Sequence, residues 1–242
     1  VRDGSPAQAA GVMPGWRLVS VSGQSVTAAV SGLCGGRYET DEAKGFAARV
    51  LAAGPRDQAR VFVFRDAEGE ERALSLPNLY QVETPDRPLI SVSEHDDIRV
   101  LRFNNSLGEE GLIAAIDEAL SGPRPSGLVI DLRDTPSGGD TLYARALMGR
   151  VIDETRPYQR HAFPQIERDT GVARQWVEEV SPRGDSLAGV PIVVISGRWT
   201  GSMGEGLTIG LDAVADAVTL GAPMAGLLGA IYDYDLPETG WT

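Results

Sequence analysis

The sequence predicts an α/β protein: a core domain with a central β-sheet, preceded by a small β-rich domain. Three observations carry this. From residue 98 onward, apolar runs with strand character alternate with segments whose apolar residues repeat at helical spacing, the pattern of a sheet covered by helices. Residues 1–80 read instead as short strands punctuated by glycine turns. Between the two, Pro77, Pro85 and Pro88 and the run Glu94-His95-Asp96-Asp97 form a polar connection over 77–97, which places the domains at 1–80 and 81–242.

In the first domain, Gly4-Ser5-Pro6-Ala7 opens a short helix, with Pro6 suited to a first turn. Leu18-Val19-Ser20-Val21 is a strand that ends in a turn at Ser22-Gly23-Gln24. A helix begins at Thr40, an N-cap type, places Phe46, Val50 and Leu51 on one face, and stops at Gly54-Pro55. Val61–Phe64 and Arg72–Leu76 pair as a hairpin across Asp66-Ala67-Glu68-Gly69.

In the second domain, Ile98–Phe103 is a strand and Glu109–Leu120 a helix with Leu112, Ile113, Ile116 and Leu120 on one face. Leu128–Leu132 is a buried strand. The turn Arg133-Asp134-Thr135-Pro136-Ser137-Gly138-Gly139 then leads into a helix reaching Ile152. Residues 157–180 fit strand and helix alike. Val190–Ile195 is a β-branched strand, a helix follows from Gly201, and Ala217–Leu220 and the glycine-rich 226–234 are further strands.

Composition narrows the function. The 242 residues carry a net charge of −12, which argues against a nucleic-acid partner, since phosphate binding needs a basic face. No apolar run is long enough for a membrane span, and no signal-peptide pattern is visible at Val1. The single cysteine, Cys34, excludes an internal disulfide framework and a cysteine-rich zinc site. Groups that titrate near neutral pH are few: Lys44 is the one lysine, and His95 and His161 are the two histidines.

The stretch Val190-Pro191-Ile192-Val193-Val194-Ile195-Ser196-Gly197-Arg198-Trp199-Thr200-Gly201-Ser202-Met203-Gly204-Glu205-Gly206 reads as strand, turn and helix start. That context fixes a nucleophilic serine and offers helix N-terminal N–H groups to a developing oxyanion. Ser202 is the candidate nucleophile, and an unactivated serine needs an adjacent base.

Two resemblances follow from these residues. "GSPAQAAGVMPGWRLVSVSGQSV", followed by a helix and a strand pair, resembles a PDZ domain of the bacterial protease-associated type over residues 1–77, with Trp16 where that family has aspartate. In that family a leading strand and a carboxylate-binding loop come before the part matched here. Such domains capture peptide C-termini by strand addition. The second domain resembles the C-terminal processing peptidases (tail-specific serine proteases with a crotonase-like core). Three blocks carry the likeness: "GLVIDLRDTPSGGDT", "PIVVISGRWTGSMGEGL" and "AVTLGAPMAGLLGAIYDY".

The resemblance implies that Ser202 is the nucleophile and that the N–H groups of Gly138 or Gly139 and of Met203 form an oxyanion hole. Glycine suits that place because the scissile carbonyl approaches the backbone closely. Ser137 is an extra residue in the turn, so the choice between the two glycines stays open. The family's lysine matches Leu227. The lysine-free third block is nearer to the tricorn-type branch, which uses Ser–His–Glu, but that branch's histidine position is Arg102 here, and Glu238 is a weak match to its glutamate.

His161 is therefore the candidate base, with His95 behind it; a surface or structural role is the plainer reading of each. Asp131, Asp134 and Asp140 cluster near the glycine turn as groups that could orient a base; the plainer readings are a strand end for Asp131 and a helix cap for Asp140.

The leading function is a serine endopeptidase acting on unstructured or tail-presented polypeptides, with a non-lysine base. The alternative is an impaired relative that binds peptide or serves as a scaffold. An esterase-like hydrolase is a third reading, disfavoured because Thr200-Gly201-Ser202-Met203-Gly204 lacks the first glycine of the elbow motif and both histidines precede the serine. No cofactor and no metal is expected. The resemblance implies the periplasm or cell envelope of a bacterium and leaves a homo-oligomer open.

Overall fold

The computed structural model describes residues 1, 4–35, 40–82, 86–136, 138–227, 229 and 236–239. Two compact units divide the chain, Val1–Asp86 and Arg87–Thr242.

In the first unit, helix α1 (Pro6–Ala9) has Ser5 as N-cap, its side chain accepting the Gln8 N–H at 3.2 Å. Strands β1 (Arg17–Val21), β2 (Gln24–Ser25), β3 (Arg60–Arg65) and β4 (Glu71–Leu76) form a sheet in the order β2-β1-β3-β4, every pair antiparallel. Helices α2 (Val26–Cys34) and α3 (Asp41–Ala53) lie between β2 and β3. The small core is Val21, Phe62 and Leu76.

Thr40 caps α3 by accepting the Ala43 N–H at 3.2 Å, and Gly54 ends it at φ 57°. Helix α2 is absent from the sequence reading; it stops at Gly35, which takes the left-handed conformation that glycine allows. The expected apolar face of α3 is also corrected. Phe46 and Val50 stand 63% and 45% exposed, while Ala47 is the buried residue and Leu51 packs on the core. The buried stripe is centred one position further round the helix.

In the second unit, β5 (Ile90–His95), β6 (Ile98–Phe103), β7 (Gly127–Asp131), β10 (Ile192–Ser196) and β11 (Val218–Gly221) form a five-stranded sheet in the order β11-β10-β7-β6-β5. Strands β6, β7, β10 and β11 are parallel and β5 is antiparallel to β6. Helices α4 (Leu112–Ala119), α5 (Thr141–Met148) and α7 (Met203–Ala215) connect the strands. Strands β8 (Arg156–Ala162) and β9 (Gln175–Val180), with α6 (Pro164–Thr170) between them, form a separate antiparallel hairpin. The core runs through Leu101, Phe103, Ile116, Ile130, Val194, Leu207 and Leu211, all nearly or fully inaccessible. Each such side chain contributes roughly 1.5–3 kcal/mol of burial.

Several boundaries move. The connection expected over 77–97 contains β5, whose backbone pairs with β6 from Ile90↔Phe103 to His95↔Ile98. Helix α4 starts at Leu112 rather than Glu109, and α5 ends at Met148 rather than Ile152. Residues 157–180, ambiguous in sequence, are mainly the β8–β9 hairpin. The strand expected over 226–234 and the extra turn residue Ser137 lie largely or wholly outside the described residues. The Cys34 side chain is outside them as well.

Candidate active site

The three sequence blocks meet at the C-terminal edge of the parallel strands. The loop after β7 and the loop after β10 join through a parallel bridge between Thr135 and Thr200. Thr200 Oγ1 donates to the Leu132 carbonyl at 2.8 Å and accepts the Gly197 N–H at 3.0 Å. The Gly201 N–H donates to the Thr135 carbonyl at 3.0 Å, and the Ala225 N–H, from the loop after β11, donates to the Thr200 carbonyl at 3.0 Å. Thr135 and Thr200 are 1% and 0% exposed, so these bonds form away from competing water.

This frame holds Ser202 at φ 49°, ψ −112°, as the residue that caps α7. A non-glycine residue there carries strain of about 1–3 kcal/mol, which persists only where the surroundings enforce it. The Ser202 N–H donates to Glu205 Oε2 at 2.8 Å. Glycines on either side let the turn press inward: a Cβ at Gly204 would lie 2.5 Å from Thr135 Oγ1, and one at Gly201 would lie 3.1 Å from the Pro136 carbonyl oxygen.

The same geometry fixes the serine hydroxyl. A Cβ at Gly138 would lie 2.7 Å from Ser202 Oγ and 3.0 Å from its Cβ. Ser202 thus points into the space a side chain at 138 would fill. Gly139 plays a different part. It bridges Leu107, and a Cβ there would come within 2.3 Å of the Leu107 backbone. Met203 is the first residue of α7, and its N–H belongs to the first turn, where no intrahelical acceptor exists.

Glu205, the glutamate three residues after Ser202 in the second block, is 3% exposed; the sequence reading assigned it no role. Its Oε2 also accepts the Leu227 N–H at 2.8 Å, and its Oε1 accepts the Gly226 N–H at 2.9 Å. One carboxylate therefore pins the third block to the Ser202 turn. Leu227, where the sequence resemblance expects a lysine, sends Cδ1 to within 3.1 Å of where a Gly201 Cβ would stand.

A cavity of about 230 Å³ opens beside the serine, lined among others by Gly139, Thr141, Gln159, His161, Ser202 and Leu227. His161 lies on β8 and stacks on Trp176 of β9, ring centroids 4.7 Å apart and planes within 5°. Its Nε2 is buried without a hydrogen bond and sits 3.8 Å from Glu178 Oε1. Glu178 Oε2 accepts the Thr141 hydroxyl at 2.8 Å. Neither Thr141 nor Glu178 was anticipated.

Of the other candidates, one is corrected and the rest take structural places. His95 ends β5 opposite Ile98, the first residue of β6. It therefore stands at the N-terminal edge of the parallel strands, across the sheet from Ser202, and does not serve as its base. Asp131, 4% exposed, is chelated by Arg133 Nε and Nη2 at 2.9 and 2.7 Å. Burial works to raise its pKa, but the Arg133 hydrogen bonds outweigh this and hold it low. Asp134 pairs with Arg87, and Asp140 caps α5 by accepting the Leu142 N–H at 2.7 Å. Asp131 thus ends β7 and Asp140 caps a helix, the plainer of the two sequence readings for each, and all three carboxylates are held by structural partners. Arg102 lies in register opposite Asp131. Glu238 is exposed in the turn at 237–239, and Lys44 is exposed on α3 of the first unit.

No family model and no curated protein matches the chain. Solved structures do. The chain is similar to the photosystem II D1 C-terminal processing protease at 19% identity and a TM-score of 0.52, over 92% of this chain and 55% of that one. It is similar to mature CPAF at 15% identity and a TM-score of 0.61, over 95% of this chain and 67% of that one. A structure described as an S41 protease from Bacteroides fragilis matches at 16% identity and a TM-score of 0.54, over 99% of this chain and 62% of that one. At these identities the likeness is one of fold. The chain has the mixed α/β fold of these proteases and spans from 55% to 67% of their length.

Proposed function

We propose that the chain is a serine endopeptidase of the C-terminal processing type, with Ser202 as nucleophile and His161 in place of a lysine as general base. One observation carries the reading: a strained serine at the head of a helix, its hydroxyl against Gly138, in one cavity with a histidine.

In the proposed reaction the Ser202 Oγ–H bond breaks as Oγ attacks the scissile carbonyl carbon, and the proton passes to the His161 ring. The carbonyl oxygen gains the negative charge, and the N–H groups of Gly138 or Gly139 and of Met203 stabilise it. The helix dipole of α7 adds to that field. The amide C–N bond then breaks and the amine leaves with the proton from His161. Water, deprotonated by the same ring, hydrolyses the acyl-enzyme.

The substrate is an unstructured polypeptide. The PDZ-like reading of residues 1–80 has that unit present the substrate's C-terminal tail to a crotonase-like core over 81–242. A bacterial periplasm or envelope location belongs to the same proposal. The solved proteases of this fold support the peptidase reading alone. The test is cleavage of an unfolded protein by wild type and by Ser202→Ala. Loss of cleavage in the variant is expected, and equal cleavage contradicts the reading. Leu227 motivates the second reading, a peptide-binding relative that has lost its base; in that case neither protein cleaves.

A further inference from the structure

We propose that Glu178 is the positioning residue for His161: its carboxylate holds the Nε2 edge of the imidazole, leaving Nδ1 to take the Ser202 proton. This rests on the reading of His161 as base.

The hairpin register brings the pair together. His161 lies opposite Trp176 and Gln159 lies opposite Glu178, with a bulge between Pro157 and Gln159. Residues two apart on a strand share a face, so Glu178 is the diagonal neighbour of His161 on the face that carries Gln159. Gln159 and His161 both line the cavity that holds Ser202. Strand geometry alone therefore brings the carboxylate beside the ring.

Three contacts fix the arrangement. Trp176 stacks flat on the imidazole and sets its plane. Thr141 donates to Glu178 Oε2, which leaves Oε1 facing His161 Nε2. Thr141 is the first residue of α5, directly after the Gly138-Gly139-Asp140 turn, so one chain of contacts links the turn beside the serine to the carboxylate behind the base. The Glu178 charge is also felt at buried Tyr158, whose hydroxyl pKa is raised first by burial and then by that charge.

The buried Nε2 is the observation that calls for a partner. A ring N–H out of water without an acceptor is unfavourable, and the group facing it at 3.8 Å is an anion. That distance is too long for a hydrogen bond, and a shift of about 1 Å closes it; catalytic bonds commonly tighten only with substrate in place. Once Nδ1 accepts the serine proton the ring is a cation, and Glu178 supplies the opposite charge without itself accepting a proton.

The experiment uses the full chain in two measurements. Nitrogen-15 NMR of labelled histidine in the Ser202→Ala protein reads which ring nitrogen carries the proton. The Nε2–H tautomer is expected at His161, and Glu178→Gln replaces it with a mixture. In the active protein, Glu178→Gln lowers kcat about 10²–10⁴-fold with KM nearly unchanged, Glu178→Asp recovers part of the loss, and Thr141→Val costs several-fold. If Glu178→Gln folds and changes neither tautomer nor kcat while His161→Ala abolishes cleavage, the role of Glu178 is overturned and the base reading survives. If His161→Ala cleaves as wild type does, the base reading falls and the catalytic role of Glu178 falls with it, whatever the tautomer shows.

Discussion

Glu205 accepts the backbone N–H of Leu227 at 2.8 Å with the same carboxylate oxygen that accepts the N–H of Ser202. Two segments twenty-five residues apart in the chain thus share one buried acceptor, and the third sequence block is anchored beside Ser202 by its backbone, whatever its side chains are. Replacing Glu205 with alanine leaves the N–H groups of Ser202, Gly226 and Leu227, all in part-buried bonds, without their acceptor. We expect a loss of about 3 kcal/mol or more, measured by urea unfolding, together with loss of cleavage. Glu205→Gln keeps the shape but offers one N–H group another donor, and should fall between.

The two glycines of the turn separate function from folding. Gly138→Ala puts a methyl 2.7 Å from Ser202 Oγ, which displaces the hydroxyl; kcat should fall on the order of 10²-fold for an ångström-scale shift, with Tm little changed. Gly139→Ala drives a methyl into the Leu107 backbone at 2.3 Å. It should destabilise by about 3 kcal/mol or more, and thermal melts of the two variants read the difference directly.

Leu227 sits where the resemblance places a lysine, next to Gly201 and half exposed. In a His161→Ala background, Leu227→Lys should restore labelling of Ser202, increasingly as the pH rises and the new amine loses its proton. No recovery at alkaline pH would separate this site from the lysine-dependent geometry.

Acid should unfold the core domain through two carboxylates. Asp117 is held by Arg150 and Arg183 at 2.6 Å each. Burial tends to raise its pKa, but the two arginines outweigh it and the net shift is downward, as at Asp131. A lowered folded-state pKa means stabilisation that is complete above the unfolded value of about 3.9 and is lost as the pH falls below it. Tm should therefore drop between about pH 4 and pH 2, and Asp117→Asn should flatten that dependence. An unchanged slope in the variant would contradict the assignment.

The central parallel strands were legible because both faces of β7 and β10 are buried or half-buried, so Leu128–Leu132 and Val190–Ile195 read as mainly apolar runs. The strand–turn–helix setting of Ser202 was legible from the pattern, and His161 stood out as a candidate because the histidines are so few. The β8–β9 hairpin was not, because both strands are mostly exposed and carry mixed polar and aromatic residues rather than clean alternation. Glu178 was hidden for the same reason: its relation to His161 exists only once a bulged register is set. His95 misled because the acidic residues around it resembled a loop, whereas an antiparallel edge strand carries it to the far end of the sheet.

The most direct measurement is covalent labelling of Ser202 by a fluorophosphonate, with the adduct mapped by mass spectrometry in wild type and in His161→Ala. An activated serine predicts a single adduct at Ser202, formed far faster than on free serine, and at least about 10²-fold slower in the variant, the usual contribution of a general base. No adduct at Ser202, or one formed equally fast without His161, would contradict the account.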